Sequence, residues 1–124
     1  MENGRKLAYI ERITDLQPIE GADKIEKATV LGWQCVVKKG EFEIGQKIIY
    51  CEVDSVMPEK PEFEFLRDRK FRVRTIKLRG QISQGLILPI NTLTSINSKI
   101  SIGFLNIGDD VTEYLNITKY LSPS

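Results

Sequence analysis

Hydrophobic and polar residues alternate with a period of about two along most of the chain, which predicts β-strands rather than helices. Turns that contain glycine or proline separate the alternating segments from one another. The predicted strands cover residues 7–16, 25–31, 33–37, 47–53 and 86–88. The first of them is expected to bend, because its apolar positions change phase. The second and third form a hairpin around Gly32, in which Ala28 and Val30 are expected to face inward.

A further strand is predicted over residues 70–79, where basic residues are dense. Its apolar residues occupy odd positions up to Val73 and even positions from Ile76, so the phase changes at about Thr75. Such a change indicates a bulge or a bend in the strand. The bend would keep the basic side chains on the outer side of one curved strand, namely Arg72, Arg74, Lys77 and Arg79.

Helical signals in the sequence are short. Residues 61–66 predict a single helical turn, because Pro61 stands at an early position where a helix tolerates it. The aspartates at 109–110 suit the positive N-terminal end of a short helix that ends at Leu115. Residues 91–103 are rich in serine, threonine and asparagine, and we expect them to form an excursion on the surface.

Together these elements predict an all-β fold, a small closed barrel of five to six strands with one or two short helical turns. The five-stranded OB-fold, which often binds oligonucleotides, suits this length, and an SH3-like barrel is the alternative that the pattern leaves open. With 124 residues, of which 41% are hydrophobic, the chain fits a single folded domain. We expect this domain to span residues 1–120, with residues 121–124 as the start of a linker or a C-terminal tail.

The composition excludes several kinds of site. Histidine is absent from the sequence, which excludes Ser-His-Asp and Cys-His catalysis and every zinc site that contains histidine. Cys35 and Cys51 are too far apart for a redox motif and too few for a zinc site, so we expect both in the core, in adjacent strands. No apolar stretch resembles a membrane helix or a signal peptide, and a cytoplasmic protein is therefore predicted.

The formal net charge of +1 hides a strong internal asymmetry. Residues 66–80 contain seven basic residues and one acid, whereas residues 41–64 contain seven acids and two basic residues. A basic block of this kind is typical of a phosphate-binding surface, although a solvated strand face beside an acidic one would show the same pattern. The acidic segment lacks the spacing of a metal-binding loop, and we interpret it as a solvated rim or an interface with a partner domain.

Candidate binding residues follow from these patterns. The candidates for nucleic-acid contacts are Arg72, Arg74, Lys77 and Arg79, then Gln81 and Gln84 in the glycine-containing loop that follows, and Lys38 and Lys39 in a smaller basic turn. Tyr50 lies in opposite phase to the apolar positions of its strand, so we expect it to be exposed to a ligand. Trp33 could stack on a base, but its phase predicts a core position. Phe63 and Phe65 are expected to fill one end of the barrel.

Four stretches and the tail resemble one known family. They are PIEGADKIEKATVLGW (18–33), VVKKGEFEIGQ (36–46), PEFEFLR (61–67), TIKLRGQISQGLILP (75–89) and GDDVTEYLNITKY (108–120). Together they resemble the N-terminal OB-fold domain of an ATP-dependent RNA ligase family, whose members seal 3′-OH/5′-phosphate breaks. In that family the OB-fold domain precedes a nucleotidyltransferase core. The segment around 21–24 is also similar, over a shorter length, to OB-type tRNA-binding domains.

The resemblance implies a binding role without catalysis on this chain. Such ligases attach AMP to the lysine of a K-x-D-G signature, and the nearest approach here is Lys77-Leu78-Arg79-Gly80, with arginine in place of the acid. ATP and a divalent metal ion are therefore expected only at a separate ligase core, in cis or in trans. The expected ligand is RNA or a nicked duplex that contains RNA. The alternative is a protein-interaction or dimerisation module that docks a ligase domain.

Overall fold

A computed structural model describes residues 6–121 of the chain. Ten short strands make up most of the regular structure of this part: β1 (Ala8–Arg12), β2 (Asp15–Pro18), β3 (Ile25–Val30), β4 (Trp33–Lys38), β5 (Lys47–Cys51), β6 (Ser55–Val56), β7 (Ile76–Leu78), β8 (Gln81–Ser83), β9 (Leu86–Pro89) and β10 (Thr118–Lys119). The helices are the 3-10 helices Pro61–Arg69 and Ile102–Phe104 and the α-helix α1 (Thr92–Ile96). None of these helices is long and apolar enough to cross a membrane. Predictions for residues 1–5 and 122–124 fall outside the described residues.

Antiparallel pairing joins the strands into four small sheets, with the orders β1-β5-β9, β2-β3-β4, β7-β8 and β6-β10. β5 is central in the first sheet, where Ile49 lies opposite Ile10 on one side and Leu88 on the other. β3 is central in the second sheet, where Ala28 lies opposite Cys35. The fold is thus mostly β with few helices. Because the pairing among the described residues leaves separate sheets, the closed barrel stays a prediction.

β5 separates two hydrophobic clusters, because successive side chains of a strand point to opposite faces of a sheet. Ile49 and Cys51 pack into one cluster, which the longer 3-10 helix covers with Phe63. Ile48 and Tyr50 pack into the other cluster, together with residues of the β2-β3-β4 sheet. Burial of a large apolar side chain stabilises a fold by about 1.5–3 kcal/mol. Because β5 buries side chains in both clusters, it contributes to the stability of both.

Several predictions for the first half of the chain are confirmed. The β3–β4 hairpin is present, and Ala28 and Val30 are fully buried. The predicted bend in the first strand lies at residues 13–14, between β1 and β2. Cys35 and Cys51 are both buried, as expected. Their placement in adjacent strands is wrong, however, because β4 and β5 belong to different sheets.

The strand predicted over 70–79 is only partly present. The 3-10 helix is longer than the single predicted turn and continues to Arg69. Lys70 and Phe71 then adopt φ values of 54° and 63°. These left-handed conformations turn the chain sharply and cannot belong to an extended strand. Beyond this turn Arg72 forms an antiparallel β-bridge with Val56, and Phe71 and Val73 are buried as the alternation predicts. Residues 73–75 then separate this bridge from β7, so the basic side chains do not share one continuous strand.

Two predictions for the second half also differ from the structure. Residues 109–115 form turns instead of a helix, and Asp110 Oδ1 accepts a hydrogen bond from the N–H of Thr112 at 3.0 Å. Asp110 forms a β-bridge with Tyr9 of β1, and the turn that follows it does not continue into a helix. The surface excursion predicted at 91–103 contains α1, whose Leu93 is fully buried in the cluster below the 3-10 helix.

Two aromatic residues that were expected in the interior are exposed. Trp33 is 44% exposed, because it is the first residue of β4 and lies at the end of its sheet, outside the second cluster. Phe65 is 57% exposed, although Phe63 is fully buried as predicted. A 3-10 helix has three residues per turn, so side chains two positions apart point in different directions.

Candidate nucleic-acid interface

The β7–β8 hairpin places Arg79 against the loop that connects β2 to β3. Arg79 and the loop residues 21–25 line one cavity of about 360 Å³. Both sides of the cavity are tight turns, since Gly21 has a φ of 79° and Gly80, beside Arg79, has a φ of 81°. Glycine adopts such values without strain, which explains its presence at both turns. Lys77 lies on the same hairpin and is exposed.

A backbone hydrogen bond links the smaller basic turn to this loop. The N–H of Lys39 donates to the carbonyl oxygen of Lys24 at 2.9 Å. Because Lys24 also lines the cavity with Arg79, the two basic segments of the sequence border neighbouring parts of one surface. The exposed cations of this surface are Lys24, Lys38, Lys39, Lys77 and Arg79, and within residues 6–121 none of them forms an ion pair.

Sequence reasoning missed Lys24 as a binding candidate. The available signal was the stretch at 21–24, which the sequence comparison with tRNA-binding domains had already singled out. The charge pattern did not reveal it, because Lys24 follows Asp23 and stands outside both basic runs. The side chain of Lys24 is exposed beside the cavity, where it is available to a phosphate group.

Arg72 differs from the other candidates because its guanidinium group is engaged within the chain. Its Nε donates to Asp54 Oδ1 at 2.9 Å, and its Nη2 lies 2.8 Å from the same oxygen. The guanidinium carbon lies 3.6 Å from the centre of the Tyr120 ring. The side chain is only 24% exposed. Arg72 therefore holds the C-terminal segment against the turn at Asp54, and its predicted place on an outer strand face is wrong.

Arg74 is exposed and borders a different cavity from Arg79. It lies beside the 3-10 helix, in a groove segment of about 160 Å³ that Phe65 also lines. A wider segment of about 890 Å³ continues past Phe65 to Lys38. The predicted phosphate contacts are thus divided between the loop surface around Arg79 and this groove.

The two glutamines that were predicted to meet a ligand connect β8 to β4. Gln81 Nε2 donates to Gln34 Oε1 at 3.1 Å. The backbone N–H of Gln84 donates to the carbonyl oxygen of Gln34 at 2.8 Å. The carbonyl oxygen of Gln84 accepts hydrogen bonds from the Tyr50 hydroxyl at 2.7 Å and from the Cys35 thiol at 3.4 Å. Both glutamines therefore hold the β7–β8 hairpin in place beneath the basic surface.

The prediction that Tyr50 is exposed to a ligand is wrong. Its side chain is 1% exposed, because β5 is covered on both faces and the residues in each phase are buried. Burial raises the pKa of the Tyr50 hydroxyl and of the Cys51 thiol far above their ordinary values. Burial also raises the pKa of the Cys35 thiol to about 12. These three groups are uncharged at neutral pH, which suits their positions in the core.

Comparison with known proteins places the chain among OB-folds. The family described as the PHA02142 OB-fold domain matches residues 7–90. The structure of an RNA ligase of Naegleria gruberi with PPi matches with a TM-score of 0.82 and 40% identity, over 98% of this chain and 37% of the ligase. A variant of that ligase with ATP and Mn gives a TM-score of 0.83 and 40% identity, over 97% and 37%. No curated protein sequence matches the chain.

The chain is therefore an OB-fold domain. It belongs to the PHA02142 OB-fold domain family, because the match covers more than half of its residues. It is similar in sequence and structure to part of an RNA ligase, which confirms the resemblance to the OB-fold domain of that kind of enzyme. The chain spans only 37% of the length of the ligase.

Proposed function

We propose that this OB-fold domain binds broken RNA, or a nicked duplex that contains RNA, and positions the break for a ligase core. The observation that carries this proposal is the set of unpaired cations around the cavity between Arg79 and the loop at 21–25. Lysine and arginine side chains that neutralise phosphates release counterions, which gives affinity that does not depend on sequence and falls with salt.

The position of these cations in the fold supports the proposal. OB-folds bind oligonucleotides across their second and third strands and between the loops that join strands one to two and four to five. Counting β1 and β2 as one bent strand, the loop at 21–25 is the first of these connections. The β7–β8 hairpin belongs to the second connection, between β5 and β9. Arg79 and Lys24 line one cavity between these two connections, which supports the binding of a nucleic acid there.

The proposed mechanism on this chain is binding alone. Exposed cations hold the phosphates, and the β2–β3 loop and the β7–β8 hairpin follow the backbone of the strand. ATP and a divalent metal ion would act at a nucleotidyltransferase core, in cis or in trans. In this proposal residues 1–120 are the binding module and residues 121–124 begin the linker to that core. The similarity to an RNA ligase of Naegleria gruberi supports RNA as the substrate.

Fluorescence anisotropy with a labelled nicked RNA–DNA duplex tests the proposal. The titration is repeated at several salt concentrations with the double variant Lys24→Ala/Arg79→Ala. A matched control is Lys99→Ala/Lys119→Ala, which removes the same charge from exposed positions away from the cavity. We expect the slope of log affinity against log salt to fall by about two for the first variant and to stay unchanged for the control.

Two results would contradict the proposal. A folded chain that does not bind the duplex at low salt is not a nucleic-acid-binding module. Equal losses in the two double variants would show a general charge effect instead of a site at the loops. The first result, together with a dimer in light scattering, would instead favour the protein-interaction module.

A further inference from the structure

A groove with an exposed aromatic ring runs beside the 3-10 helix, away from the loops around Arg79. Its two segments, of about 890 Å³ and about 160 Å³, share four lining residues and are therefore adjacent. The shared residues are Val36, Phe65, Gly85 and Leu86. Ligand-binding clefts usually have volumes of this order, with apolar walls and a few polar groups. The groove is therefore large enough for a nucleotide.

Phe65 is the exposed aromatic residue in this groove, and buried neighbours hold its part of the helix, which follows a kink at Phe63. Its ring is 57% exposed, while Phe63 and Leu66 on either side are buried in the core. The hydroxyl of Ser95 donates to Glu62 Oε2 at 2.7 Å, which ties the helix to α1. The backbone N–H of Phe71 donates to the carbonyl oxygen of Leu66 at 2.9 Å and ends the helix. An aromatic face offered by a fixed element can stack on a base at little entropic cost.

The charges that line the groove are unevenly distributed. Arg69 and Arg74 line the narrow segment, which has no acidic lining residue. Lys38, Glu41 and Glu62 line the wide segment, and the hydrogen bond from Ser95 lowers the pKa of Glu62. The narrow end is therefore the one that attracts a phosphate group.

The acids on the outer side of the helix do not cancel this attraction. Arg67 forms hydrogen bonds with Glu64, and its Nη1 lies 3.9 Å from Glu59. In the part of the chain that the structure describes, Arg69 and Arg74 form no ion pair. The two arginines at the narrow end are therefore available to an anion.

We propose that the groove binds one unpaired nucleotide next to the break, with its base stacked on Phe65 and its phosphate at Arg69 and Arg74. This inference rests on the proposed nucleic-acid-binding function and adds the class of ligand, a base that is free of its duplex. A paired base has both faces covered by its neighbours, so it cannot reach a ring inside a groove. The polar side chains of α1 along the wide segment face the edge of the base and the sugar.

The test compares two nicked RNA–DNA duplexes that carry a one-nucleotide flap, one with a normal base and one with an abasic flap. Stacking on an aromatic side chain corresponds to a change in affinity of about 5-fold to about 150-fold. We expect the unaltered chain to bind the flap with a base more tightly by at least about 5-fold. Phe65→Ala is expected to bind both duplexes equally, and Phe65→Tyr to restore the preference.

Two further variants separate stacking from charge. Phe104→Ala removes an aromatic ring that is 82% exposed but does not line the groove, and we expect it to keep the preference for the base. Arg74→Ala is expected to lower the slope of log affinity against log salt by about one, whereas Phe65→Ala leaves the slope unchanged.

The outcomes distinguish this inference from the proposed function. If the unaltered chain binds both flaps equally, or if Phe65→Ala keeps the preference, the groove does not hold a base. Binding to the simple nick that still depends on Lys24 and Arg79 would then leave the proposed function standing. If the chain binds none of the duplexes at low salt, both ideas are wrong.

Discussion

Replacing Arg72 tests the division of the basic segment into structural and binding residues. Arg72→Ala removes the hydrogen bond and the ion pair to Asp54 Oδ1 and the contact with the Tyr120 ring. Arg74→Ala, two positions further on, removes an exposed arginine that has no ion pair among the described residues. We expect the first variant to lose stability and the second to keep it.

The magnitude follows from the geometry of the cluster. A hydrogen bond to a charged group contributes about 1.5–3 kcal/mol, and a cation–π contact near the surface about 0.5–1 kcal/mol. Asp54 is 33% exposed, so water can solvate its carboxylate once Arg72 is replaced. The loss of stability is therefore expected near the lower end of the range for these interactions. We therefore expect Arg72→Ala to lower the free energy of unfolding by about 2 kcal/mol. With 124 residues, this corresponds to a fall in Tm of about 8 °C.

Urea denaturation of four chains measures this effect: the unaltered chain, Arg72→Ala, Asp54→Asn and the double variant. Asparagine tolerates the positive φ of 74° at Asp54, so that change tests the charge and not the turn. We expect a coupling energy of about 1 kcal/mol or more between the two positions. Arg72→Lys is expected to restore little, because an ammonium group lacks the planar fork of the guanidinium. Equal stability of Arg72→Ala and Arg74→Ala would refute the structural role.

Two further predictions concern the core. In a urea titration, Gly85→Ala is expected to lower the free energy of unfolding by more than about 2 kcal/mol. The reason is that φ at Gly85 is +109° and a Cβ there would lie 2.6 Å from Tyr50 Cζ. The control Gly40→Ala, at φ +82° with open space around it, should lower the free energy of unfolding by only about 1 kcal/mol. The pKa of the Cys35 thiol is raised from 9.0 to about 12, so its contribution to stability is complete below pH 9 and is lost as the pH rises towards 12. The urea midpoint should therefore fall over that pH range, and it should fall less in Cys35→Ala. Both cysteines are buried, so a thiol reagent at pH 8 should modify neither of them before the chain unfolds. Rapid labelling of the folded chain would contradict the burial of the two thiols.

Local alternation predicted the β3–β4 hairpin well, because one face of that sheet is buried and the other is solvated. The pattern has a period of two only under this condition. It failed for Tyr50, because β5 lies between two clusters and buries both of its phases. The continuous apolar run of β5 is typical of a strand that is buried on both faces, and a prediction from alternation alone does not use this signal.

The basic strand could not be predicted for a different reason. Lys70 and Phe71 adopt left-handed φ values, and neither residue type signals such a turn. The conformation is imposed by the buried Phe71 ring and by the end of the 3-10 helix, where the N–H of Lys70 donates to the carbonyl oxygen of Arg67 at 3.0 Å. The turn therefore interrupts the predicted strand, although Phe71 and Val73 keep their alternating burial, and the arginines beyond the turn separate into different surfaces.

The candidate site was predicted in its composition but not in its geometry. Charge counting identified Lys77 and Arg79, and the structure places this hairpin opposite a loop whose lysine had not been chosen. The loop at 21–25 and Arg79 line one cavity, although more than fifty residues separate them in the sequence. A local sequence pattern carries no information about contacts over such a distance. Only the fold, in which both connections lie at one end, brings these cations together.

The charge asymmetry of the sequence is partly neutralised within the chain, and this explains which cations are left for a ligand. Asp54 of the acidic segment binds Arg72, and Glu64 binds Arg67. The acidic segment therefore finds part of its partner in the basic segment of the same chain, and it does not need another protein to balance these charges. Several of the cations that no acid of the described chain pairs with border the cavities: Lys24, Lys38, Arg69, Arg74 and Arg79. Internal pairing therefore withdraws Arg67 and Arg72 from a ligand, and the positive charge beside the cavities stays available to a polyphosphate strand.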